Sequence, residues 1–464
     1  MLKMRRYLTV LIIVCFASSL LASCEFSSVE TYESSHLTET SNSSFSVEDS
    51  SVETSQETSD VYESLPDVNT SEYESSEDPD PIPEDTVISF LACPDNIIHP
   101  SVFYDAIDRA AKANGTKASY KDLHNAEYDF APIYEHVAAM IEDADIAYIN
   151  QETLVGGTSG KIIGYPCFNS PQAIADTVID MGVDVVNVAH NHMLDSGNTK
   201  YLDNCNNVFE SKGVEVIGYY PDSESTKNIT VIEREGIKVA FLAYTYGTNG
   251  IKLPSSSKAV IPYFNKELLK TQVAIAEEIA DITIVSCHWG VENSYNPNSM
   301  QKEYAKYMCE LGVDVVLGMH PHVIQPMGWQ ISENGNKTLV VYSLGNFVSG
   351  MKAAKNMLAG MLSLNIVKDG ETGEISIEAP LFIPTVTHYK DTPGKMSNDT
   401  GFRDFKIYLL EDYTEELAAK HGACIYERTH KATLVGGKYS KENLLNTLFK
   451  YIPAEFLPES YVQE

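Results

Sequence analysis

The imidazoles of this chain are unevenly placed. Six of its 12 histidines fall in four short stretches: His99 behind Cys93-Pro94-Asp95, the trio His190-Asn191-His192, His288 in Cys287-His288-Trp289-Gly290, and His320-Pro321-His322. Carboxylates stand near them at Asp95, at Glu152 in Asn150-Gln151-Glu152-Thr153, and at Asp195. Imidazole, carboxylate and amide oxygen are ligands that suit Mn, Fe or Zn without any thiolate. Two divalent ions ~3.5–4 Å apart, sharing a carboxylate, polarise a phosphoryl oxygen and lower the pKa of a bound water. An imidazole left off the metals can pass a proton to a leaving oxygen.

Elements must bring these residues together. Residues 87–92, 146–150, 183–188, 282–286 and 313–317 read as buried strands, and the last four follow helical stretches at 132–144, 171–181, 266–280 and 301–311. Further strands are expected at 231–233, 239–243 and 339–342. This alternation argues an α/β layered fold. Each of the five strands ends at one of the chemical stretches, and ligands of open α/β sheets bind beyond the carboxyl ends of strands. A local self-match adds a question. Gly182-Val183-Asp184-Val185-Val186 with His190-x-His192 recurs as Gly312-Val313-Asp314-Val315-Val316 with His320-x-His322. It marks either a duplication or two units converging on a common turn.

Composition bounds the rest. With 33 Lys and Arg against 65 Asp and Glu, the net charge of −32 argues against nucleic acid as a partner, because phosphate contacts need clustered cations. Residues 25–85 concentrate the imbalance, with 18 acidic residues, 16 Ser, 6 Thr and no Lys or Arg. Such a stretch cannot bury enough surface to offset its ordering entropy, so it reads as a tether or an interaction tail. Ahead of it, a basic start, an apolar run over 7–21 and small residues have the order of a secretory signal peptide. Leu21-Ala22-Ser23-Cys24 resembles the bacterial lipobox, which implies lipidation of Cys24. The expected organisation is a signal peptide at 1–23, lipidated Cys24 with a disordered acidic Ser/Thr-rich linker at 24–85, a main domain at 86–392 and a C-terminal extension at 393–464. The protein would be extracytoplasmic and lipid-anchored to the bacterial cell membrane. Cys93, Cys167, Cys205, Cys287, Cys309 and Cys424 form no CxxC pair and read as buried thiols. The stretch 361–379 reads as a hairpin, 413–421 and 441–451 read as helices, and no chemistry is visible beyond 392.

Four motifs taken together carry a family resemblance: Ala189-His190-Asn191-His192-x-x-Asp195-x-Gly197, Cys287-His288-Trp289-Gly290-Val291-Glu292, His320-Pro321-His322-Val323-Ile324-Gln325-Pro326 and Tyr342-Ser343-Leu344-Gly345-Asn346-Phe347. They resemble the capsule-synthesis CapA family, which is associated with poly-γ-glutamate synthesis. The resemblance covers about 87–350. It implies a metallophosphoesterase-like layered sandwich, a central β-sandwich flanked by helices, of the calcineurin-like kind. It implies one metal site of Asp95, Glu152 and His322 and another of Glu152, Asn191, His288 and His320. His192 would protonate a leaving group, with Asp195 orienting its ring or capping the turn before Gly197. His99 and His190 would be further ligands or supports of ligands. Two departures stand out: Ile97 lies where the phosphoesterase pattern has His, and Glu152 where it has Asp. The implied function is metal-dependent hydrolysis, phosphoesterase-like, with one or two divalent ions, on capsule or cell-envelope polymer. The alternative is a non-catalytic polymer-binding or assembly/export factor that retains the fold.

Overall fold

The computed structural model describes residues 83–462; the expected signal peptide, Cys24 and nearly all of the acidic linker lie outside them. In chain order the strands are β1 (Thr86–Asn96), β2 (Ile146–Asn150), β3 (Val185–Asn187), β4 (Glu215–Ile217), β5 (Thr230–Arg234), β6 (Ile237–Thr245), β7 (Ile282–His288), β8 (Val315–Met319), β9 (Ile324–Ile331), β10 (Lys337–Leu344), β11 (Asn346–Val348), β12 (Leu358–Lys368), β13 (Ile375–Asp391) and β14 (Phe402–Leu409). They form two sheets, ordered β14-β13-β12-β1-β2-β3-β4, with β11 added on β1, and β5-β6-β7-β8-β10-β9. β1 to β4 run parallel, as do β6, β7, β8 and β10.

Period-two alternation stacks the sheets. On β6, Val239, Phe241 and Ala243 enter the core between the sheets. Ala240, Leu242 and Tyr244 point the other way, into a second cluster with Leu269, Val273, Ala305 and Met308. Those four lie on helices α6 and α7. The helices in order are α1 (Pro100–Ala113), α2 (Ala131–Tyr134), α3 (Ala138–Glu142), α4 (Ala173–Asp180), α5 (Lys200–Glu210), α6 (Lys266–Ile279), α7 (Ser299–Leu311), α8 (Glu415–Lys420), α9 (Ala423–Tyr426) and α10 (Lys441–Tyr451). Across the sandwich, the rings of Phe90 and Phe241 lie 6.1 Å apart and Tyr148 Oη meets Ser286 Oγ at 2.7 Å. Each fully buried aliphatic or aromatic side chain here contributes about 1.5–3 kcal/mol. The expected α/β sandwich with flanking helices is thus the fold. No helix among the described residues is long and apolar enough to cross a membrane.

Parallel strands are entered through an aspartate that takes a neighbour's amide. Asp145 Oδ2 accepts from Ser89 N at 2.8 Å, Asp184 Oδ2 from Ala147 N at 2.8 Å, Asp281 Oδ2 from Lys238 N at 2.8 Å and Asp314 Oδ2 from Thr283 N at 2.7 Å. These bonds pin strand register, and with it the side of the sheet on which each strand-end ligand emerges. Asp184 and Asp314 hold equivalent places, which accounts for the repeated Val-Asp-Val-Val. The loops that follow differ. His320 and His322 have φ of 96° and 57°, in the left-handed region, whereas His190 and His192 do not.

One expected helix is corrected and one strand is added. The helix over 132–144 is broken into α2 and α3, and no Gly or Pro marks the break. β14 escaped notice because Arg403, Asp404 and Lys406 interrupt its apolar alternation. A register shift against β13 and a left-handed Asp404 (φ 59°) make this a bulged strand. The sheet also continues past residue 392. β13 and β14 pair, α1 locks onto β14 through Asp105, which accepts from Asp404 N and Phe405 N, and Leu444, Leu448 and Phe456 join the main core.

Candidate metal centre

The chemical residues converge at the carboxyl ends of both sheets. Asp95 is near the end of β1, Glu152 follows β2, Asn191 follows β3, His288 ends β7, and His320 and His322 follow β8. On β7, Val285 and Cys287 face α6 and α7, so Ser286 and His288 face inward. Cys287 packs against Met308 on the face turned toward α6 and α7, away from the ligands.

Two groups of ligand atoms have all members within 4.8 Å of one another: Glu152, His320 and His322, and Asp95, Glu152 and His288. They share Glu152. His322 also approaches Asp95, and the rings of His288 and His320 lie 4.8 Å apart. Individual separations are 3.9 Å from His288 Nε2 to Glu152 Oε1, 3.7 Å from His322 Nε2 to Glu152 Oε1, and 3.4 Å from His322 Nδ1 to Asp95 Oδ2. Asn191 Oδ1 lies 3.0 Å from His288 Nε2. Ligands bonded at ~2.0–2.2 Å sit ~3 Å apart at right angles and ~4 Å apart when opposed, so the two Nε2 separations from Glu152 suit shared ions.

Satisfaction of polar atoms gives an independent test. Glu152 Oε2, His190 Nε2, His288 Nδ1 and His320 Nδ1 are buried without a hydrogen-bond partner. Each such atom costs about 1–3 kcal/mol, and the three on Glu152, His288 and His320 call for a ligand. Burial, then neighbouring imidazoles, hold His288 and His320 well below the usual histidine range, so they are neutral and able to bind. Burial also lowers His322, but Glu152 and Asp95 outweigh it and bring that ring up to about 9. Carboxylates that hold a proton so firmly would hold a cation as well. Burial raises the Glu152 carboxyl well above its usual value, partly countered by His322. The residues present therefore fit a divalent ion.

Buried amides set this constellation. Asp95 Oδ1 accepts from Asn150 Nδ2 at 2.7 Å, Asn150 Oδ1 from Asn187 Nδ2 at 2.8 Å, and Asn187 Oδ1 from Ala189 N at 2.9 Å. Asp95 Oδ2 accepts from His320 N at 3.0 Å, which ties the two sheets together. Asn346 Oδ1 lies 3.0 Å from His322 Nδ1, and Asn356 Nδ2 donates to His322 O at 2.9 Å. Sequence reasoning passed over Asn150, Asn187 and Asn356 and gave Asn346 no role beyond its motif. The one available signal was that Asn150 and Asn187 each close a strand. Tyr246 was also missed; its ring sits 4.5 Å from that of His320.

His192 is one residue past Asn191. Its Nδ1 lies 2.8 Å from Asp195 Oδ2, which also accepts from Phe168 N at 2.6 Å. His190 takes His192 N on its Nδ1 at 3.1 Å and places its ring 6.0 Å from that of His288, but belongs to neither ligand group. Nor does His99. Its Nδ1 accepts from Gly350 N at 3.1 Å and its ring stands edge-on to Phe168. Trp289 is a packing residue, stacked on Phe264 with Nε1 donating to Tyr342 O at 3.0 Å. None of the six described cysteines is paired.

Comparison with known proteins adds the family. The model described as "Bacterial capsule synthesis protein PGA_cap" matches residues 101–351. The "PGA biosynthesis protein CapA" of Bacillus subtilis (strain 168) is 29% identical over 256 residues, 52% of this chain and 65% of that protein. The "Capsule biosynthesis protein CapA" of Bacillus anthracis is 30% identical over 175 residues, 37% of this chain and 41% of that one. The chain thus matches less than two thirds of either relative's length. Among solved structures it is similar to the NAD nucleotidase (NadN) of Haemophilus influenzae, at TM-score 0.39 and 13% identity over 82% of this chain and 59% of that one. It is also similar to the calcineurin-like phosphoesterase YfkN of Bacillus subtilis, at TM-score 0.34 and 12% identity over 79% and 96%. With the family match covering more than half of its residues, the chain belongs to the bacterial capsule synthesis protein PGA_cap family.

Proposed function

We propose that the protein is a metal-dependent hydrolase of phosphoester bonds in capsule or cell-envelope polymer, acting outside the cytoplasm on a lipid anchor at Cys24. The observation that carries this reading is the pair of ligand groups sharing buried Glu152, with His192 and Asp195 beside Asn191. Asp95, Glu152, Asn191, His288, His320 and His322 would hold one or two divalent ions. Once bound, these would polarise a phosphoryl oxygen and lower the pKa of a water. Asp195 occupies Nδ1 of His192, which leaves Nε2 to carry a proton toward a leaving oxygen. Asn346 fixes the ring of His322 through Nδ1, a support that usually contributes 10–100-fold to metal affinity. The family and the biosynthetic roles printed for the two relatives support a place in capsule polymer synthesis.

The test is metal analysis of the purified protein followed by a panel of phosphomonoesters and phosphodiesters. Stoichiometric Mn, Fe or Zn with turnover of at least one ester is expected. A metal-loaded protein that cleaves none would favour a non-catalytic polymer-binding or assembly/export factor. That second reading has one observation of its own: buried Ile97 stands where the phosphoesterase pattern has an imidazole.

A further inference from the structure

A cavity of about 890 Å³ lies between α1 and the outer strands β13 and β14, and none of the candidate metal ligands lines it. In a chain of net charge −32, its wall holds six of the 33 Lys and Arg: Arg109 and Lys112 on α1, Lys390 on β13, Arg403 and Lys406 on β14, and Lys395 between those strands. Three carboxylates share the wall, Asp105, Asp108 and Asp404. Asp105 pairs with Arg109 at 2.9 Å, while Asp108 serves both Lys395 and Arg403 at 2.7 Å each. Glu135 and Asp399, which do not line the cavity, take Lys406 and the other edge of Arg403. Lys390, with Arg109 and Lys112 behind it, holds the Asp404 carboxyl below its usual range. Lys112 has no ion-pair partner among the described residues. Lys390 and Lys395 are half exposed, and each makes one of the three hydrogen bonds that an ammonium can make. The surplus of donors therefore falls on Lys112, Lys390 and Lys395.

A buried group gives an independent sign. His388 lines the same cavity and is 3% exposed. Tyr439 Oη donates to Tyr413 Oη at 3.2 Å, so the Tyr413 proton is directed at His388 Nδ1, 2.8 Å away. The ring, kept neutral by burial and then by Lys390, carries its own proton on Nε2. Nε2 has no hydrogen-bond partner and is not sealed from solvent, so it presents an N–H donor to the cavity. Donors and cations without matching acceptors select an anion. The cations stand on separate elements around a wide cavity and do not converge on one point, as a single phosphate requires; they suit single charges spaced along a chain. Exposed ion pairs contribute only about 0–1 kcal/mol, so an incoming carboxylate can take the place of Asp108 or Asp404 at small cost. We propose that this cavity is a second binding site, for a chain bearing spaced carboxylates, held by Lys112, Lys390, Lys395 and the Nε2–H of His388. It stands apart from the metal centre and does not depend on the phosphoester reading.

The test titrates the purified full-length protein by calorimetry with penta-glutamate, penta-glutamine and tripolyphosphate, in EDTA so that the metal centre takes no part. Penta-glutamate should bind, with an affinity that falls as salt rises, and penta-glutamine should not. Lys112→Ala, Lys390→Ala and Lys395→Ala should each weaken binding roughly 2–5-fold, the scale of an exposed ion pair, and the triple variant at least about tenfold. The ring resonances of His388 should move as the wild type is saturated. No binding of penta-glutamate, undiminished affinity in a triple variant of unchanged Tm, or unmoved His388 resonances would overturn the proposal. Tighter binding of tripolyphosphate than of penta-glutamate would make this a phosphate site and overturn it as well. None of these outcomes touches the phosphoester reading, which the metal analysis and the ester panel decide.

Discussion

Replacing His320 by glycine should separate what this residue does for folding from what it does for metal. In the metal-free protein its features are unfavourable. Its φ of 96° costs an L-residue about 1–2 kcal/mol, and glycine removes that cost. Its buried Nδ1 lacks a partner, another 1–3 kcal/mol or so. Against these stand the ring contact with Tyr246, about 0.5–1.5 kcal/mol, and a cavity that the exposed Tyr246 ring can partly fill. The backbone N–H to Asp95 is kept. His320→Gly should therefore be as stable as the wild type in chelator, or up to about 2 kcal/mol more stable, where an ordinary buried truncation costs about 2–5 kcal/mol. With metal the order should reverse. An ion at 100 times its Kd stabilises the wild type by about 2.7 kcal/mol, and the variant should forfeit most of that. Thermal melts with EDTA and with Mn²⁺ or Zn²⁺, alongside elemental analysis, read both terms. A variant that loses 3 kcal/mol or so in EDTA, or that keeps the metal-induced rise in Tm, would show that His320 is a packing residue and not a ligand.

Three other outcomes are expected. His192→Ala should leave metal content intact and cut phosphoester turnover by roughly 10²–10⁴-fold, while Asp195→Asn, which weakens only the hold on Nδ1, should cost less; metal loss in His192→Ala would contradict these roles. Cys24→Ser should move the protein out of the membrane fraction or block its processing, and normal processing with full membrane retention would end the lipid-anchor reading. The third outcome concerns His388, which burial, then Lys390, hold down at about 4. The unfolded chain binds more protons than the native one between pH 4 and the ordinary value of 6.5, so this contribution is whole above pH 6.5 and is lost as pH falls toward 4. At ~1.4 kcal/mol per pH unit, the wild type should lose roughly 3 kcal/mol more than His388→Gln between pH 7 and 4 in urea titrations; parallel stability curves for the two proteins would refute this.

The chemical inventory is legible in the sequence because it is local. A run such as Ile146–Asn150 is recognisable as a strand from its own apolar residues, and the polar residues after it stand at the strand end whatever the strand pairs with. The His192–Asp195 pair was legible for the same reason, spanning three residues of one turn. What the sequence could not decide was partnership at a distance. Asp95 meets the backbone of His320 across 225 residues, and Asn346 meets His322 from a strand on the opposite sheet. Those meetings depend on sheet order and register, which no short window carries. The same holds for β14, whose bulge and charges disguise a strand that only pairing with β13 defines, and for Tyr246, an ordinary tyrosine in sequence. The residues that can bind a metal were thus set by composition and local pattern. Which of them share an ion, which amides aim them and which ring covers them were set by the packing of two sheets, because only that packing places residues remote in the chain within bonding distance.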